Sequence, residues 1–164
     1  MDRIVLDSPV GRMALECEGE ALTALYLPHR LAEPVGAETP LLSRGRAELE
    51  EYFQGKRRVF DLPLAPKGTP FQQRVWQELA KVPWGTVVTY GELAVRVGSP
   101  KACRAVGQAN HNNPLPIFLP CHRVVGTNGS LTGYAGGIDK KIQLLQLEGA
   151  FREEYFVPKY STAP

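Results

Sequence analysis

Short apolar runs separated by turn residues fill the first part of the chain. They lie at 3–7, 13–17 and 22–27. This pattern is typical of strands in a hairpin or meander. Thr39 followed by Pro40 predicts the cap and first residue of a helix that ends at Gly55, and a weak alternation over 58–64 predicts an edge strand. We therefore expect residues 1–66 to form a small α+β scaffold domain that carries no evident chemistry.

After this domain the apolar spacing becomes helical, which predicts a second domain over 67–164. The residues at 69–70 repeat the Thr-Pro signal, and apolar residues recur at helical spacing as far as Val82. A last helix is expected to begin with Asp139 as its cap and to end at Gly149.

Two short helices joined by a turn predict a helix–turn–helix in the second domain. Residues 90–97 favour the first helix and residues 101–110 the second. We expect Ser99 to cap the second helix and Pro100 to be its first residue. Most side chains of this helix are small, whereas helices that read the major groove present long polar ones. Sequence-specific reading of DNA is therefore not expected.

The candidate chemistry lies in the stretch 113–125. Three prolines stiffen it, and the apolar run 117–119 leads into Pro120, Cys121 and His122. A thiol beside an imidazole is typical of nucleophilic catalysis. A cysteine after an apolar run is also a common core residue, and neighbouring side chains of an extended segment point apart. A turn or a bridging water is needed if the two groups are to cooperate.

Several other motifs accompany this stretch in a fixed order. They are Thr89-Tyr90-Gly91-Glu92-Leu93-Ala94, Arg104-Ala105-Val106-Gly107, Asn113-Pro114, Pro120-Cys121-His122-Arg123-Val124, Gly133-Tyr134-Ala135-Gly136-Gly137 and Leu144-Leu145-Gln146-Leu147-Glu148-Gly149. Together they resemble the signatures of the O6-alkylguanine-DNA alkyltransferases, which repair DNA by direct reversal. The resemblance is close over residues 69–150 and general in the N-terminal third. It implies an α+β fold whose second domain is mostly helical and resembles a winged helix–turn–helix.

The resemblance implies irreversible transfer of a methyl or other alkyl group from guanine O6, and from thymine O4, to Cys121. His122 would act as the base, Glu148 would orient it, and Asn113 would brace the turn. The thioether product has no easy leaving group, so each protein molecule would be consumed by one lesion. No cofactor is expected.

Recognition of double-stranded DNA is implied in the same way. The damaged base would be flipped out of the duplex, Arg104 would fill the vacated space, and Tyr90 would act on the adjacent phosphate or base. The helix–turn–helix would dock in the minor groove, which suits scanning regardless of sequence. Ala105 and Arg123 complete the expected DNA-contacting residues, and the protein is expected to be a monomer.

The pocket for the flipped base is expected on both sides of the cysteine. Pro116 and Tyr134 would line it, and Lys141 would assist. The backbone carbonyls of the cysteine and of Val124 would read the guanine amine. Many relatives have Ser where this chain has Ala135, so the chain lacks a hydroxyl donor there but keeps the backbone N–H. Its substrate range is therefore expected to differ.

Charge and cysteine content limit the expected partners and the expected cellular compartment. The 164-residue chain has a net charge of +2, and residues 86–125 hold four basic residues and one acidic residue. This local surplus suits modest contact with phosphates. The three cysteines show no C-x-x-C spacing, which favours a reducing compartment and argues against a zinc site. Without an apolar run long enough for a membrane span or a signal peptide layout, a cytoplasmic location is expected.

Three other interpretations stay open at this point. A winged-helix regulator with an incidental cysteine predicts sequence-specific, salt-sensitive binding that survives Cys121→Ser. A cysteine hydrolase predicts turnover and an oxyanion hole. A lesion-binding relative that repairs nothing would have another residue in place of the cysteine.

Overall fold

The structure is a computed structural model that describes residues 1–158. It divides into two compact units, Met1–Lys67 and Gly68–Pro164, which we call the N-terminal and the C-terminal unit. Residues 159–164, at the end of the predicted second domain, lie outside the described residues. Within the described residues, no helix is long and apolar enough to cross a membrane.

The N-terminal unit is a three-stranded antiparallel sheet with one long helix. Its strands are β1 (Asp2–Leu6), β2 (Met13–Glu18) and β3 (Ala21–Tyr26), in the sheet order β1-β2-β3. Helix α1 (Pro40–Phe53) begins after Thr39, whose side chain accepts a hydrogen bond from the backbone N–H of Leu42. Gly45 lets α1 approach the sheet closely, because a Cβ at this position would clash with Leu15. The predicted meander and helix are confirmed.

The edge strand predicted over 58–64 is wrong. This segment lies entirely within the described chain and forms no strand; it makes one isolated parallel bridge, between Leu22 and Leu64. Pro63 has no N–H and therefore cannot extend a ladder, although its carbonyl accepts from Leu22 N at 2.9 Å. Val59, an apolar residue of this alternation, is 73% exposed.

The C-terminal unit is mostly helical. Its elements in chain order are α2 (Pro70–Leu79), β4 (Val88–Thr89), α3 (Tyr90–Arg96), α4 (Cys103–His111), β5 (Val124–Val125) and α5 (Ile138–Leu147). Helices α2, α3 and α4 pack on one another, and buried Trp76 donates from Nε1 to the carbonyl of Ala109 at 2.8 Å. The two short strands are parallel, with Val88 opposite Val124. This pairing brings the segment that follows Cys121 next to the start of α3.

Two helices of this unit begin elsewhere than predicted. Helix α4 begins at Cys103, and Ser99 does not cap it, because the Ser99 carbonyl accepts from Ala102 N at 2.9 Å in a separate turn. Helix α5 begins directly after Gly137, whose φ is 105°. Asp139 therefore lies inside the first turn of α5 and provides no cap. Helix α4 therefore starts later than expected because a turn precedes it, whereas α5 starts earlier than expected.

Candidate active site

The chain reaches Cys121 through a tight turn that Asn113 holds at both ends. Asn113 Oδ1 accepts from the N–H of Leu115 at 2.9 Å, and its Nδ2 donates to the carbonyl of Leu119 at 2.7 Å. Within the turn Ile117 has a φ of 75°, which a β-branched residue rarely adopts. Such a conformation costs on the order of 1–3 kcal/mol and persists where its surroundings fix it. Asn113 therefore lies where the bracing role requires it.

Cys121 opens a short 3-10 helix, Cys121–Arg123, and is 5% exposed. Burial raises the pKa of its thiol to about 11, against the opposing effects of a hydrogen bond from Asn113 and of the charge of Lys141. The thiol of the resting protein is therefore protonated at neutral pH. A base has to take this proton when the sulfur attacks a substrate.

His122 is fully buried, and its Nε2 lies 2.7 Å from Glu148 Oε2. Burial lowers the pKa of His122, although Glu148 opposes this effect, so the imidazole is neutral at neutral pH. Because a carboxylate can only accept a hydrogen bond, Nε2 carries the proton and Nδ1 holds the lone pair. Nδ1 is buried and has no hydrogen-bond partner among residues 1–158. The site therefore contains an imidazole whose basic nitrogen accepts no hydrogen bond from the described part of the chain.

Arg123 is buried in the C-terminal unit and forms an ion pair with Glu148. Its Nε and Nη2 donate to the two carboxylate oxygens at 2.7 and 2.9 Å, and its Nη1 donates to the carbonyl of Val82 at 2.6 Å. With 5% exposure it is not placed for the DNA contact expected from sequence. Three exposed basic residues and one exposed acidic residue therefore remain in the segment 86–125.

The arginine and the histidine together keep Glu148 ionised. Burial alone would raise the pKa of this carboxyl, but hydrogen bonds from His122 and Arg123, and the charge of the guanidinium, lower the pKa to about 2. A charge-assisted, two-pronged hydrogen bond of this kind fixes geometry as well as ionisation. Glu148 is thus ionised and hydrogen-bonded to the imidazole, and its role in orienting the imidazole for a reaction stays a prediction.

Tyr90 and Lys141 converge on one backbone carbonyl beside the thiol. The Tyr90 hydroxyl donates to the carbonyl of Thr132 at 3.2 Å, and Lys141 Nζ donates to the same oxygen at 3.1 Å. Burial lowers the pKa of Lys141 to about 8, while the nearby Cys121 opposes this effect. Burial also raises the pKa of Tyr90. Two proton donors therefore lie within electrostatic range of the Cys121 thiol.

The expected DNA-contacting residues of α4 are on the surface. Arg104 and Ala105 are exposed, and Arg104 borders an open cavity of about 620 Å³. The cavity is lined by Tyr90, Cys103, Arg104, Gly107, Gln108, His111, Thr132 and Gly133. Cys121 is not among the lining residues, so the thiol does not border this cavity.

The expected pocket residues lie in the buried part of the unit. Pro116, Val124 and Tyr134 are buried, and Ala135 is half-buried. Val124 follows the cysteine helix directly and pairs with β4. The structure thus brings the catalytic candidates together around the cysteine segment, with Arg104 and Ala105 outside it on the exposed face of α4.

Asn110 and Thr132 belong to the site but were not identified from sequence. Asn110 is 3% exposed, and its Nδ2 donates to the backbone carbonyl of Cys121 at 3.3 Å. The sequence feature that could have identified Asn110 is its polar side chain four positions after Val106, on the buried face of α4, where an apolar residue is usual. The role of Thr132 rests on its backbone carbonyl, which leaves no mark in the sequence.

Comparisons with known proteins point to one family across the chain. The family described as "6-O-methylguanine DNA methyltransferase, ribonuclease-like domain" matches residues 1–66, and the family described as "6-O-methylguanine DNA methyltransferase, DNA binding domain" matches residues 70–150. A methylated-DNA–protein-cysteine methyltransferase of Methanosarcina acetivorans is 56% identical over 155 residues, covering 89% of this chain and 97% of that protein. The constitutive methylated-DNA–protein-cysteine methyltransferase of Bacillus subtilis is 46% identical over 151 residues, covering 87% of this chain and 92% of that protein.

Solved structures agree with the sequence relatives. Mycobacterium tuberculosis OGT in complex with DNA superposes with a TM-score of 0.80 at 43% identity, covering 90% of this chain and 92% of that chain. The O6-methylguanine methyltransferase of the same organism gives a TM-score of 0.77 at 44% identity, covering 89% of this chain and 91% of that chain. The α+β fold predicted from sequence is therefore that of these proteins.

Proposed function

The chain belongs to the 6-O-methylguanine DNA methyltransferase family, and we propose on this premise that Cys121 accepts the alkyl group when the protein repairs DNA. The bond between guanine O6 and the alkyl carbon breaks, and a bond between that carbon and Sγ forms. The thiol proton passes to a base, and the departing guanine gains one proton. The thioether is stable, so one protein molecule is consumed for each O6-alkylguanine, or O4-alkylthymine, that it repairs.

The observation that carries this proposal is the burial of four interacting ionisable side chains. Cys121, His122, Lys141 and Glu148 are at most 5% exposed. Lys141 acts on the pKa of both the thiol and the imidazole, and His122 is hydrogen-bonded to Glu148. Burying ionisable groups is costly, and such clusters are typical of sites where proton transfer takes place.

His122 is the base in this proposal. Glu148 keeps the imidazole in the tautomer with the lone pair on Nδ1, which suits removal of a proton from a thiol. The imidazole makes no direct hydrogen bond with Cys121 in the described chain, so we propose that a single water molecule carries the proton between them. Arg123 acts indirectly, because it fixes the carboxylate that orients the imidazole.

Positioning, rather than a low thiol pKa, supplies most of the rate in this proposal. For a cysteine with the ordinary pKa of about 8.5, lowering the thiol pKa by about two units gives roughly 25-fold more thiolate at pH 7. The loss of nucleophilicity, at a slope of about 0.4–0.5, takes back roughly 8-fold of this gain. Rigid placement by the Asn113 turn and protonation of the departing guanine have to provide the rest. We assign that protonation to Tyr90, supported by Lys141.

We propose that the protein binds double-stranded DNA as a monomer, through α3 and α4. Exposed Arg104 fills the space of the flipped base, and the small side chains around Ala105 let α4 enter the minor groove. Pro116, Tyr134 and the carbonyl of Val124 receive the base, and the backbone N–H of Ala135 takes the place of the missing hydroxyl donor. This chemistry suits a protein that acts in the cytoplasm, on DNA that it scans without sequence preference.

Intact mass tests the proposal directly. The protein is incubated with a short duplex that carries O6-methylguanine, with an unmodified duplex and with a Cys121→Ser control. We expect one stoichiometric gain of about 14 Da, the mass of a methylene, which appears with the lesion and maps to Cys121.

Other outcomes identify other functions. A lesion that is bound without any gain in mass points to a sensor that repairs nothing. Equal binding to both duplexes, unchanged in Cys121→Ser, points to a regulator, and continued release of product by one protein molecule points to a hydrolase. Each of these results contradicts suicide transfer to Cys121.

A further inference from the structure

The side-chain amide nitrogen of Asn110 makes a hydrogen bond, whereas its amide oxygen makes none with the described residues. Nδ2 donates to the backbone carbonyl of Cys121 at 3.3 Å. Burial raises the pKa of the Tyr90 phenol, and the Asn110 amide opposes this effect, so the two side chains are neighbours. Oδ1 is buried and has no hydrogen-bond partner in the described chain.

A buried acceptor without a partner calls for a physical reason. Nine in ten or more of the buried polar groups in proteins are paired, and Asn110 is 3% exposed on the inner face of α4. An apolar residue of similar volume would fill this position without leaving an acceptor unpaired. The oxygen lies on a side chain that touches both Cys121 and Tyr90, next to the place where a substrate has to react. A ligand with an N–H donor would satisfy it.

We propose that Asn110 Oδ1 accepts a hydrogen bond from the exocyclic amine of the flipped guanine, which makes Asn110 a specificity-determining residue. This inference rests on the proposed function and deepens it. Alkylation at O6 leaves N1 without a hydrogen, so the N2 amine is the N–H donor that remains on the pairing edge of the base. Its two hydrogens face three acceptors, Oδ1 and the carbonyls of Cys121 and Val124, and one hydrogen is shared.

The proposal explains a preference between lesions. O4-alkylthymine has no amine and leaves Oδ1 unpaired when it occupies the site. A site built to bind an N–H group discriminates against an analogue that lacks it, because its own buried acceptor is left unsatisfied. Asn110 is therefore expected to favour O6-alkylguanine over O4-alkylthymine, without any part in the chemical step.

Single-turnover rates with two duplexes test this role. One duplex carries O6-methylguanine and the other carries O6-methylhypoxanthine, which is the same base without the amine. We expect Asn110→Leu to slow transfer from O6-methylguanine by about 10-fold, the upper end of what one neutral hydrogen bond contributes, and to change transfer from O6-methylhypoxanthine by less than about 2-fold. Asn112→Leu, the same substitution at an exposed position of the same segment, should change neither rate.

The two substrates separate the possible failures. Equal losses on both duplexes would show that Asn110 merely positions the Cys121 carbonyl and Tyr90, and an unchanged rate on both would show that it does neither; either result overturns the proposal. If Asn110→Leu does not fold, Asn110→Ala, which removes the same oxygen with less bulk, decides between the outcomes. If the unaltered protein transfers methyl from neither base, the proposed function itself fails, whatever the role of Asn110.

Discussion

Each unit of the protein buries a glutamate against an arginine, and the two sites differ in what completes them. In the N-terminal unit, Nε and Nη2 of Arg3 both donate to one oxygen of Glu16, at 3.0 and 2.7 Å. The hydroxyls of Thr23 and Tyr26 donate to Glu16 as well, each at 3.2 Å. The side-chain partners of this carboxylate within the described residues are thus one guanidinium and two hydroxyls.

In the C-terminal unit, the arginine engages both oxygens of Glu148, and the third partner is the imidazole of His122. The side chains of Glu148 and His122 are 0% exposed, whereas that of Glu16 is 11% exposed. The network around Glu16 ends in hydroxyls and holds a sheet together. The network around Glu148 ends in His122 Nδ1, a basic nitrogen that has no hydrogen-bond partner among residues 1–158. The two arginine–carboxylate pairs thus differ in their third partner, which is a pair of hydroxyls around Glu16 and an imidazole around Glu148. We expect the first network to stabilise the sheet and, under the proposed function, the second to serve proton transfer.

Removing the charge of either carboxylate gives the largest expected difference in stability between the two networks. Glu148→Gln leaves the buried guanidinium of Arg123 without an anion, which should lower the free energy of unfolding by about 3–5 kcal/mol. Glu16→Gln should cost about 1–2 kcal/mol, because Arg3 stays partly in contact with water. Urea unfolding of both variants at pH 7 measures the two losses.

Transfer rates from the same pair of variants show which network serves the reaction. Glu148→Gln should slow single-turnover transfer by about 100-fold or more, because an amide can donate to the imidazole and leave Nδ1 protonated. Glu16→Gln should keep the full rate. Similar losses of stability and of rate in both variants would remove the distinction between the two networks.

Lys141→Met removes the other buried charge near the thiol and should stabilise the protein by about 2–3 kcal/mol at pH 7. Burial holds the pKa of this lysine at about 8, below its ordinary 10.5, so the folded state is penalised wherever the unfolded lysine is charged. The penalty disappears as the pH rises from 8 towards 10.5, and the gap between variant and parent should close over that range. Transfer should slow by several-fold, because the thiolate loses its nearby cation. A faster variant would contradict the electrostatic role of Lys141.

The loss of stability at acid pH also tests the contribution of Glu148. The pKa of Glu148 is about 2 in the folded state, against an ordinary 4.5. Because the folded pKa is depressed, the stabilisation is present above pH 4.5 and is lost as the pH falls towards 2. The difference in unfolding free energy between the parent and Glu148→Gln should therefore shrink by about 2 kcal/mol between pH 6 and pH 3. A constant difference would show that ionisation of Glu148 contributes nothing.

The parts of the fold that local chemistry decides were predictable from the sequence. Thr39 caps α1 as expected, and the Thr-Pro pair at 69–70 opens α2 with a complete capping box. The start of α4 was not predictable in this way, because the turn in which Ala102 N bonds to the Ser99 carbonyl competes with the helix for the same residues. The edge strand failed for a similar reason, since Pro63 cannot donate to its neighbour.

In the candidate site, too, local sequence predicts some features, whereas others depend on residues far away in the chain. Cys121 and His122 are adjacent in one stretch, so their chemistry indicates a site, whereas the roles of Asn113 and Glu148 were assigned by resemblance to a family. The direction of Arg123 depends on the Val82 carbonyl, 41 residues earlier in the chain, and no local pattern carries that information. Asn110 is polar at a buried helical position, which is a signal that sequence analysis can use once the face of the helix is known.

Glu48 offers the smallest test, because it is a buried carboxyl without an arginine fork. It is 5% exposed, and its nearest arginine contact is Arg57 Nη1 at 3.7 Å from Oε2. Burial and the neighbouring Asp61 raise its pKa. The ionised form therefore destabilises the fold at neutral pH, and this cost disappears as the pH falls below the ordinary range of a glutamate. Glu48→Gln should stabilise the protein by less than about 1 kcal/mol at pH 7, with no gain at pH 4, as urea midpoints at the two pH values would show. A loss as large as that of Glu148→Gln would mean that burial, rather than the arginine fork, governs how these carboxylates act.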